Sequence, residues 1–557
     1  MPLSDYIVTD DLTIVLGIIG ASVYLLQSLY KPQPLVHPIL LGRQSDTGRV
    51  RHPGESVVYR NYGTGLMGRF PIRPDKDTNV VNDLVRPQFE SPRTLWATKI
   101  TNAQLNERVA AFGSGITRIL SGEPNVLLLL NDGMEFLIAD LALAKFAMYS
   151  MTLCSPKILP RVLENHPPSA IIVDVNLLPY LLELVPKAWE HDLKIVVVGQ
   201  REEKTPSKSS REVEIITWSQ VEADGAKGSD STPPPARSPD DAYTVAFFET
   251  PTGELRGVRF THENMTSGVA AIRALLPPSI ALSNLDTIIS SHSLSTPYGR
   301  GIAYTALYEN ANFATLDSAK MYDVPSQSTK DFQSSARSRD VKDILSAKQY
   351  PTPPPTVLFI EPCHLEDLST SILKDAKASW LFPLAWRHKL AALAEGFISK
   401  VSLWDRMVFD NAREHVLKNM ADTLKAVVVS GGPISNEPLT LARVAVSVPV
   451  INSHTHPCTS GPVFATNALD VQVLPSNERA HVGGPSVNVE VKLKGVNDAD
   501  VEANGDPVGH LVLRGPSVGR YLVGNGEEKQ DEAAWTETGE IARAMTNGAF
   551  LVVGHVA

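Results

Sequence analysis

Residues 247–265, FFETPTGELRGVRFTHENM, set Thr, Pro and Gly between a strand-like run and a basic residue, with helix-like sequence after them. That pattern could cradle a phosphate. Gly253 and Gly257 would let backbone approach closely, Thr252 offers a hydroxyl, and Arg256 supplies positive charge. Two neighbours oppose it. Glu249 sets a carboxylate where phosphate oxygens need donors, and Pro251 has no N–H to give. A carboxylate within about 4 Å of a phosphate oxygen costs on the order of 4 kcal/mol at an effective dielectric near 20. A solvated turn is the plain alternative.

A second group lies in INSHTHPCTSGPV, residues 451–463. His454, His456 and Cys458 alternate and would share one face of a strand, as zinc ligands could. Pro457 interrupts that strand and no fourth ligand is close in sequence, so no metal site is assigned. NYGTGLMG, residues 61–68, spells a dinucleotide fingerprint. Pro71 and Pro74 deny it the following helix that would meet a pyrophosphate. No GxxxxGK[ST] loop and no HExxH pair is present.

These groups need a scaffold, and the chain is long enough for one. Its 557 residues, 43% of them hydrophobic, imply two or three domains or subdomains. A net charge of −10 spread along the chain argues against nucleic acid as a partner. The three cysteines, Cys154, Cys363 and Cys458, are odd in number and form no CxxC pair, which excludes a disulfide framework or a zinc ribbon. A reduced, cytosol-facing protein follows.

Leu12 to Tyr30 is a charge-free run of nineteen residues. A helix of that length approaches a hydrocarbon core of roughly 30 Å, so a transmembrane anchor over 12–30 is expected. Asp5, Asp10 and Asp11 precede it while Lys31, Arg43, Arg49 and Arg51 follow, which puts the body on the cytosolic side. A short tail (1–11) comes before the anchor and a proline-bearing lead-in (31–89) after it. The chain ends at Ala557 without a peroxisomal or reticulum-retention address, leaving endoplasmic reticulum, lipid-droplet and organelle outer surfaces open.

From about residue 90 the sequence alternates between helix and strand patterns. Thr101 and Gln104 form a capping box ahead of NAQLNERVAAFGSGITRIL. NVLLLL (125–130), AIIVDV and KIVVVG read as strands covered on both faces, hence a parallel sheet. The expected fold is α/β: two βαβ-type subdomains over 90–483, then a small β-rich subdomain over 484–557. The polar stretches 201–241 and 326–356 read as flexible insertions.

In this order of elements the chain resembles the adenylate-forming, or AMP-binding, superfamily, and most of all its membrane-anchored long-chain acyl-CoA synthetases. ETPTGELRGVRFTHENM resembles the phosphate loop, SGGPIS (430–435) the adenine-side loop, and INSHTHPCTSGPV the loop carrying a magnesium-binding glutamate. LVLRGPSVGRY and WTETGEIARAMTNGAFLVVGH resemble the last motifs of the large domain.

The resemblance implies ATP, Mg2+ and coenzyme A as cofactors and a long-chain fatty acid as substrate. The acid would first be adenylated and then transferred to the thiol. It implies Thr252, Arg256 and Thr455 as catalytic residues. Gly253, Gly257, Gly431, Gly432, Pro433 and Glu540 would hold the nucleotide, Glu540 standing in for the aspartate that binds the ribose. The departures put this in doubt. Thr250 replaces a glycine, Glu249 a serine, His456 the magnesium-binding glutamate and His555 an arginine. Imidazole is a poor ligand for magnesium. The mobile C-terminal domain that carries the family's lysine has no counterpart before Ala557. Two readings therefore stay open: a ligase, weak or lost in activity, and a catalytically inactive member that binds a fatty acid, a nucleotide or a protein. Both expect Thr252 and Glu540 to face one another across a single cleft.

Overall fold

The computed structural model describes residues 10–29, 34–120, 124–185, 193–199, 214–227, 234–322, 339–472, 478–503, 505–523, 527–528 and 535–556. Among these, three sheets organise the chain.

The first has nine strands. Its parallel part runs Ala242–Glu249, Tyr149–Leu153, Asn125–Leu129, Ala170–Asp174, Lys194–Val198 and Glu214–Thr217. The expected apolar runs supply its centre: Leu127, Leu128, Ile171, Ile172 and Ile195 are inaccessible to solvent, because helices cover both faces. Leu255–Thr261 and Arg520–Val523 extend it antiparallel. The second sheet, also of nine strands, has a parallel centre in the order Val450–His454, Ala426–Val429, Val357–Ile360, Thr287–Ser290 and Asn312–Thr315.

Buried helices join the two. Every residue of Pro297–Tyr308 is buried, and Arg300 on it donates to Thr244 and Thr152 of the first sheet at 2.8 Å each. The helix itself follows a strand of the second sheet, so these bonds lock one sheet to the other. The expected capping box forms at Asn102–Ile119: Gln104 N donates to Thr101 Oγ1 at 3.2 Å and Thr101 N to Gln104 Oε1 at 3.0 Å.

The third sheet is the β-rich C-terminal part, and it recruits the lead-in. Ser45–Thr47 and Tyr59–Asn61 pair next to Glu490–Lys494, which continues through Val508–Arg514 and Thr536–Ala544 to Phe550–His555. Lys492 grips Glu55 at 2.8 Å and Asn61 Nδ2 donates to Pro485 O at 3.0 Å, so residues 45–61 are part of the body. The letters NYGTGLMG form the short helix Tyr62–Met67, closed by Gly68 at φ +65°.

Three expectations need amendment. The first insertion is ordered in part: Glu214–Thr217 edges the first sheet, and Trp218–Ala226 stacks Trp218 on Phe112 at 3.9 Å. Its stretches 201–213 and 228–233 lie outside the described residues, as does 326–338 of the second insertion, whereas Val341–Ser346 is helical. The transmembrane anchor is the larger correction. Asp11–Leu29 is a helix, but no helix among the described residues is long and apolar enough to cross a membrane.

Candidate functional site

The loop around Thr252 is a hairpin turn. Ala242–Glu249 and Leu255–Thr261 pair antiparallel with Glu249 opposite Leu255, leaving Thr250–Glu254 to reverse the chain. The turn engages three of its own amides. Thr250 N donates to Glu254 O at 2.9 Å and Gly253 N to Thr250 O at 2.8 Å. Glu254 N donates to Thr250 Oγ1 at 3.0 Å, and that hydroxyl lies 2.8 Å from Thr252 Oγ1. Gly253 has φ +82°, which a residue with a Cβ adopts only under strain.

Charge is also paired within reach. Arg161 donates to Glu249 at 2.9 Å, and Arg256 makes two bonds to Glu254, at 2.8 and 3.1 Å. The Arg256 guanidinium lies over the Tyr521 ring, 5.3 Å from its centroid. Gly257 is buried. A Cβ there would meet Phe247 Cε1 at 2.8 Å and Leu522 Cδ1 at 3.0 Å, so close packing of the hairpin, not approach to a ligand, requires the glycine.

The loop at 451–463 takes a different form. The strand ends at His454, whose Nε2 lies 2.9 Å from Glu540 Oε2 on Thr536–Ala544. Thr455 is half-buried. His456 is buried with both nitrogens engaged: Nε2 donates to Thr538 O at 3.1 Å, while Nδ1 accepts from Cys458 N at 3.1 Å. Burial above all pushes the His456 imidazole down to about 4 and raises the Cys458 thiol out of the physiological range. Burial works against the charge on Glu540, yet His454 beside it holds the carboxyl below the usual range. A neutral His456 with no free lone pair cannot ligate a metal, so the alternating trio forms a hydrogen-bonded core.

From the turn to Glu540 the contacts form a packed column. Arg256 leads to Tyr521; Phe248 lies 6.3 Å from Tyr521 and 5.9 Å from His456, centroid to centroid; His456 joins Cys458 and Glu540. Packed side chains therefore fill the path from the turn toward Glu540, which overturns the expectation that Thr252 and Glu540 face one another across a single open cleft. A cavity of about 360 Å3 lies elsewhere, between the lead-in and the helix His262–Arg273, lined by Leu40, Arg43, Tyr62, Leu275 and Val487.

The adenine-side loop follows Ala426–Val429. Gly431, with φ +91°, Gly432 and Pro433 are exposed. Ser430 beneath them is buried, and its Oγ lies 2.8 Å from His292 Nε2. Burial drives the His292 imidazole down to about 3. A Cβ on Gly431 would stand 3.3 Å from His292 Cε1 and 3.5 Å from Glu361 Cγ, so this glycine keeps a narrow space open.

The structure brings Thr252, Gly253, Gly257 and Arg256 together on one hairpin and puts Glu540 and Thr455 beside His454. Gly431, Gly432 and Pro433 leave the neighbouring strand, where Val429 pairs with Asn452, and lie against a cluster around His292 and Glu361. Arg161, Tyr521, His292 and Glu361 escaped the sequence reading, since their partners lie tens to hundreds of residues away. Residues 515–519, GPSVG, spell a nucleophile elbow, against the expectation that the sequence holds none. Ser517 there is fully buried and donates to Asn488 Oδ1 at 3.0 Å, a structural role.

The groups present do not fit ATP and magnesium in this arrangement. The amides of Thr250, Gly253 and Glu254 are engaged, Pro251 has none, and imidazole replaces the carboxylate a hard cation needs.

The fold nevertheless defines a class. The luciferase-like enzyme from the nonluminescent mealworm Zophobas morio superposes with a TM-score of 0.60 at 13% identity, covering 87% of this chain and 97% of its own. An anthranilate CoA ligase in complex with anthranoyl-AMP gives 0.59 at 14%, over 86% and 79%. Residues 88–335 match the model of AMP-binding enzymes, and the chain carries this domain of the adenylate-forming fold. Within that class it is homologous to long-chain acyl-CoA synthetases. Long-chain-fatty-acid–CoA ligase 1 of Cavia porcellus is 25% identical over 67% of this chain and 49% of its own length. The peroxisomal long chain acyl-CoA synthetase 6 of Arabidopsis thaliana is 24% identical over 90% and 70%. The chain spans about half the length of the mammalian ligase 1 relatives it matches.

Proposed function

We propose that this chain is an acyl-CoA synthetase-like protein that keeps the adenylate-forming fold to hold a long-chain fatty acyl ligand, with ATP-dependent adenylation and transfer to coenzyme A reduced to a trace. The observation that carries this reading is the engaged turn: the Thr250, Gly253 and Glu254 amides bond within it, Pro251 has none to give, and Glu249 stands at its edge paired to Arg161. His456 in place of a carboxylate supports it. Losing one donor of this type costs about 10²- to 10³-fold in rate in enzymes that use it. The ligand class comes from the relatives, whose names state ligation of long-chain fatty acids to coenzyme A.

Palmitate-dependent exchange of pyrophosphate into ATP with magnesium, run beside palmitate binding by displacement of a fluorescent fatty acid, tests the proposal. Binding with exchange at background is expected. Exchange clearly above background sinks it.

One observation favours a second reading, in which adenylation persists. The Arg161–Glu249 side chains are 41% and 42% exposed, and pairs so exposed contribute only about 0–1 kcal/mol, so an incoming triphosphate could open the turn cheaply. The exchange assay decides between the two.

We further propose a cytosol-facing membrane surface as the site of action. The described apolar side chains of Asp11–Leu29, among them Leu12, Leu16 and Ile18, lie in solvent, and an exposed apolar surface of this kind supports contact with lipid. Co-sedimentation with phospholipid vesicles that is lost on deleting residues 10–29 is the expected behaviour; equal binding after the deletion overturns this part.

A further inference from the structure

The centre of the second sheet contains a switch in connection. From Thr287–Ser290 the chain moves to Asn312–Thr315 on one side, whereas Val357–Ile360 leads to Ala426–Val429 on the other. Loops leaving the carboxyl ends of Thr287–Ser290 and Val357–Ile360 therefore part, and such a crevice is where open α/β sheets bind ligands. The sequence places Glu361, Cys363 and His364 directly after the second of these strands, at the start of the helix Pro362–Ala376. One atom from each, a carboxylate oxygen, the thiol sulfur and a ring nitrogen, lies within 4.8 Å of the others.

His364 has the posture of a ligand. It is inaccessible to solvent, and its Nε2 lies 2.8 Å from Asp343 Oδ2. Asp343, on Val341–Ser346, is itself held by Ser318 N at 3.2 Å. With Nε2–H directed at the carboxylate, the lone pair is on Nδ1, and Nδ1 is buried without any hydrogen-bond partner. A carboxylate orienting an imidazole whose other nitrogen is bare is the usual support of a metal-bound histidine. An orphaned buried acceptor otherwise weakens the fold.

We propose that Glu361, Cys363 and His364 bind a divalent transition metal of the zinc class, with Asp343 as the positioning residue. Thiolate, imidazole and carboxylate together select zinc or cobalt over magnesium. On binding, the Cys363 S–H loses its proton to solvent and the sulfur takes up the ion. Arg339, now 2.6 Å from Glu361 Oε2, gives up that contact; its side chain is 53% exposed and free to turn away. Three protein ligands leave a fourth position, and Gly431 keeps space beside Glu361. This site borders Gly431 of the adenine-side loop, and its test reads metal binding without calling on any activity.

The full chain, stripped by chelator, is titrated with Co2+ and followed by absorption. One Co2+ per chain with a sulfur-to-cobalt charge-transfer band is expected, displaced by an equivalent of Zn2+. Cys363→Ser, at a solvent-accessible position, abolishes the band. Asp343→Asn keeps the band and weakens affinity about 10- to 100-fold. His364→Ala, should it fold, loses binding, and the serine variant decides the matter if it does not. Absence of the band in the unaltered protein overturns the proposal. So does a band that survives Cys363→Ser, since the sulfur would then come from Cys154 or Cys458.

Discussion

The hairpin at 249–257 and the crevice beside Glu361 are built in opposite ways. In the turn every charge has a partner close at hand, all of it near solvent: Glu249 with Arg161, Arg256 with Glu254. At the crevice a buried imidazole is oriented on one side and left bare on the other. Self-satisfied groups have little to offer a ligand, whereas an oriented, unpaired group has already met the cost of waiting for one. Descent points to the hairpin as the working site, and the physical chemistry points to the crevice.

The strongest attempt to break that contrast is Glu249→Ser. If the carboxylate is what repels phosphate, its removal raises Mg·ATP affinity, by about a hundredfold at most once the roughly 4 kcal/mol of bare repulsion is discounted for exposure. Calorimetric titration reads it. An unchanged affinity would mean that no triphosphate approaches the turn, and the difference between the two regions would then be complete.

Acid separates the buried loop from both. Unfolded, the His456 imidazole titrates near 6.5; folded, it is pushed down to about 4. Between those values the unfolded chain holds the extra proton and the native one does not. The stability from keeping His456 neutral is thus complete above about pH 6.5 and lost as pH falls toward 4. Lowering pH from 7 to 5 removes roughly 2 kcal/mol through this residue alone. His292, driven to about 3 by burial, acts in the same direction. Urea midpoints at the two pH values measure the loss, and His456→Gln reduces it by about its own share while His292 keeps the remainder. A midpoint independent of pH would show that water reaches His456.

The two glycines of the hairpin give a smaller and more local test. Gly257→Ala forces a methyl against Phe247 and Leu522 and destabilises by about 1–2 kcal/mol, with any nucleotide affinity unchanged. Gly253→Ala meets only Glu249 Oε1, at an ordinary contact distance of 4.0 Å, so its φ of +82° sets the cost, about 1 kcal/mol. Equal effects would mean that Phe247 and Leu522 pack loosely against Gly257.

How much of this was readable beforehand follows from the range of the forces. Continuous apolar runs such as NVLLLL and a capping box at Thr101 and Gln104 are local, and both formed where expected. The turn's glycines and its flanking charges were equally visible. What settled their meaning was remote: Arg161 lies 88 residues before Glu249, and His454 lies 86 before Glu540. Glu361, Cys363 and His364 stood together in the sequence without attracting notice, because no paired-cysteine spacing marks them. Their significance depends on Asp343, which arrives from another helix. The expected anchor after Asp11 is not supported among the described residues: Asp11–Leu29 is helical, but no helix there is long and apolar enough to cross a membrane.

The smallest effect bears most directly on the contrast. Arg161→Ala breaks the 2.9 Å pair with Glu249, whose two side chains are each about two-fifths exposed. Water replaces the lost partner, so unfolding free energy falls by less than about 1 kcal/mol. The variant leaves Glu249 unneutralised, however, and any affinity for Mg·ATP falls with it while Glu249→Ser moves it the other way. Opposite shifts in affinity with matching, near-zero shifts in urea midpoint would place the carboxylate as an electrostatic barrier, not a structural strut. If Arg161→Ala instead unfolds the hairpin, the pair is structural, and the turn's resistance to phosphate lies in its backbone, beyond the reach of any charge substitution.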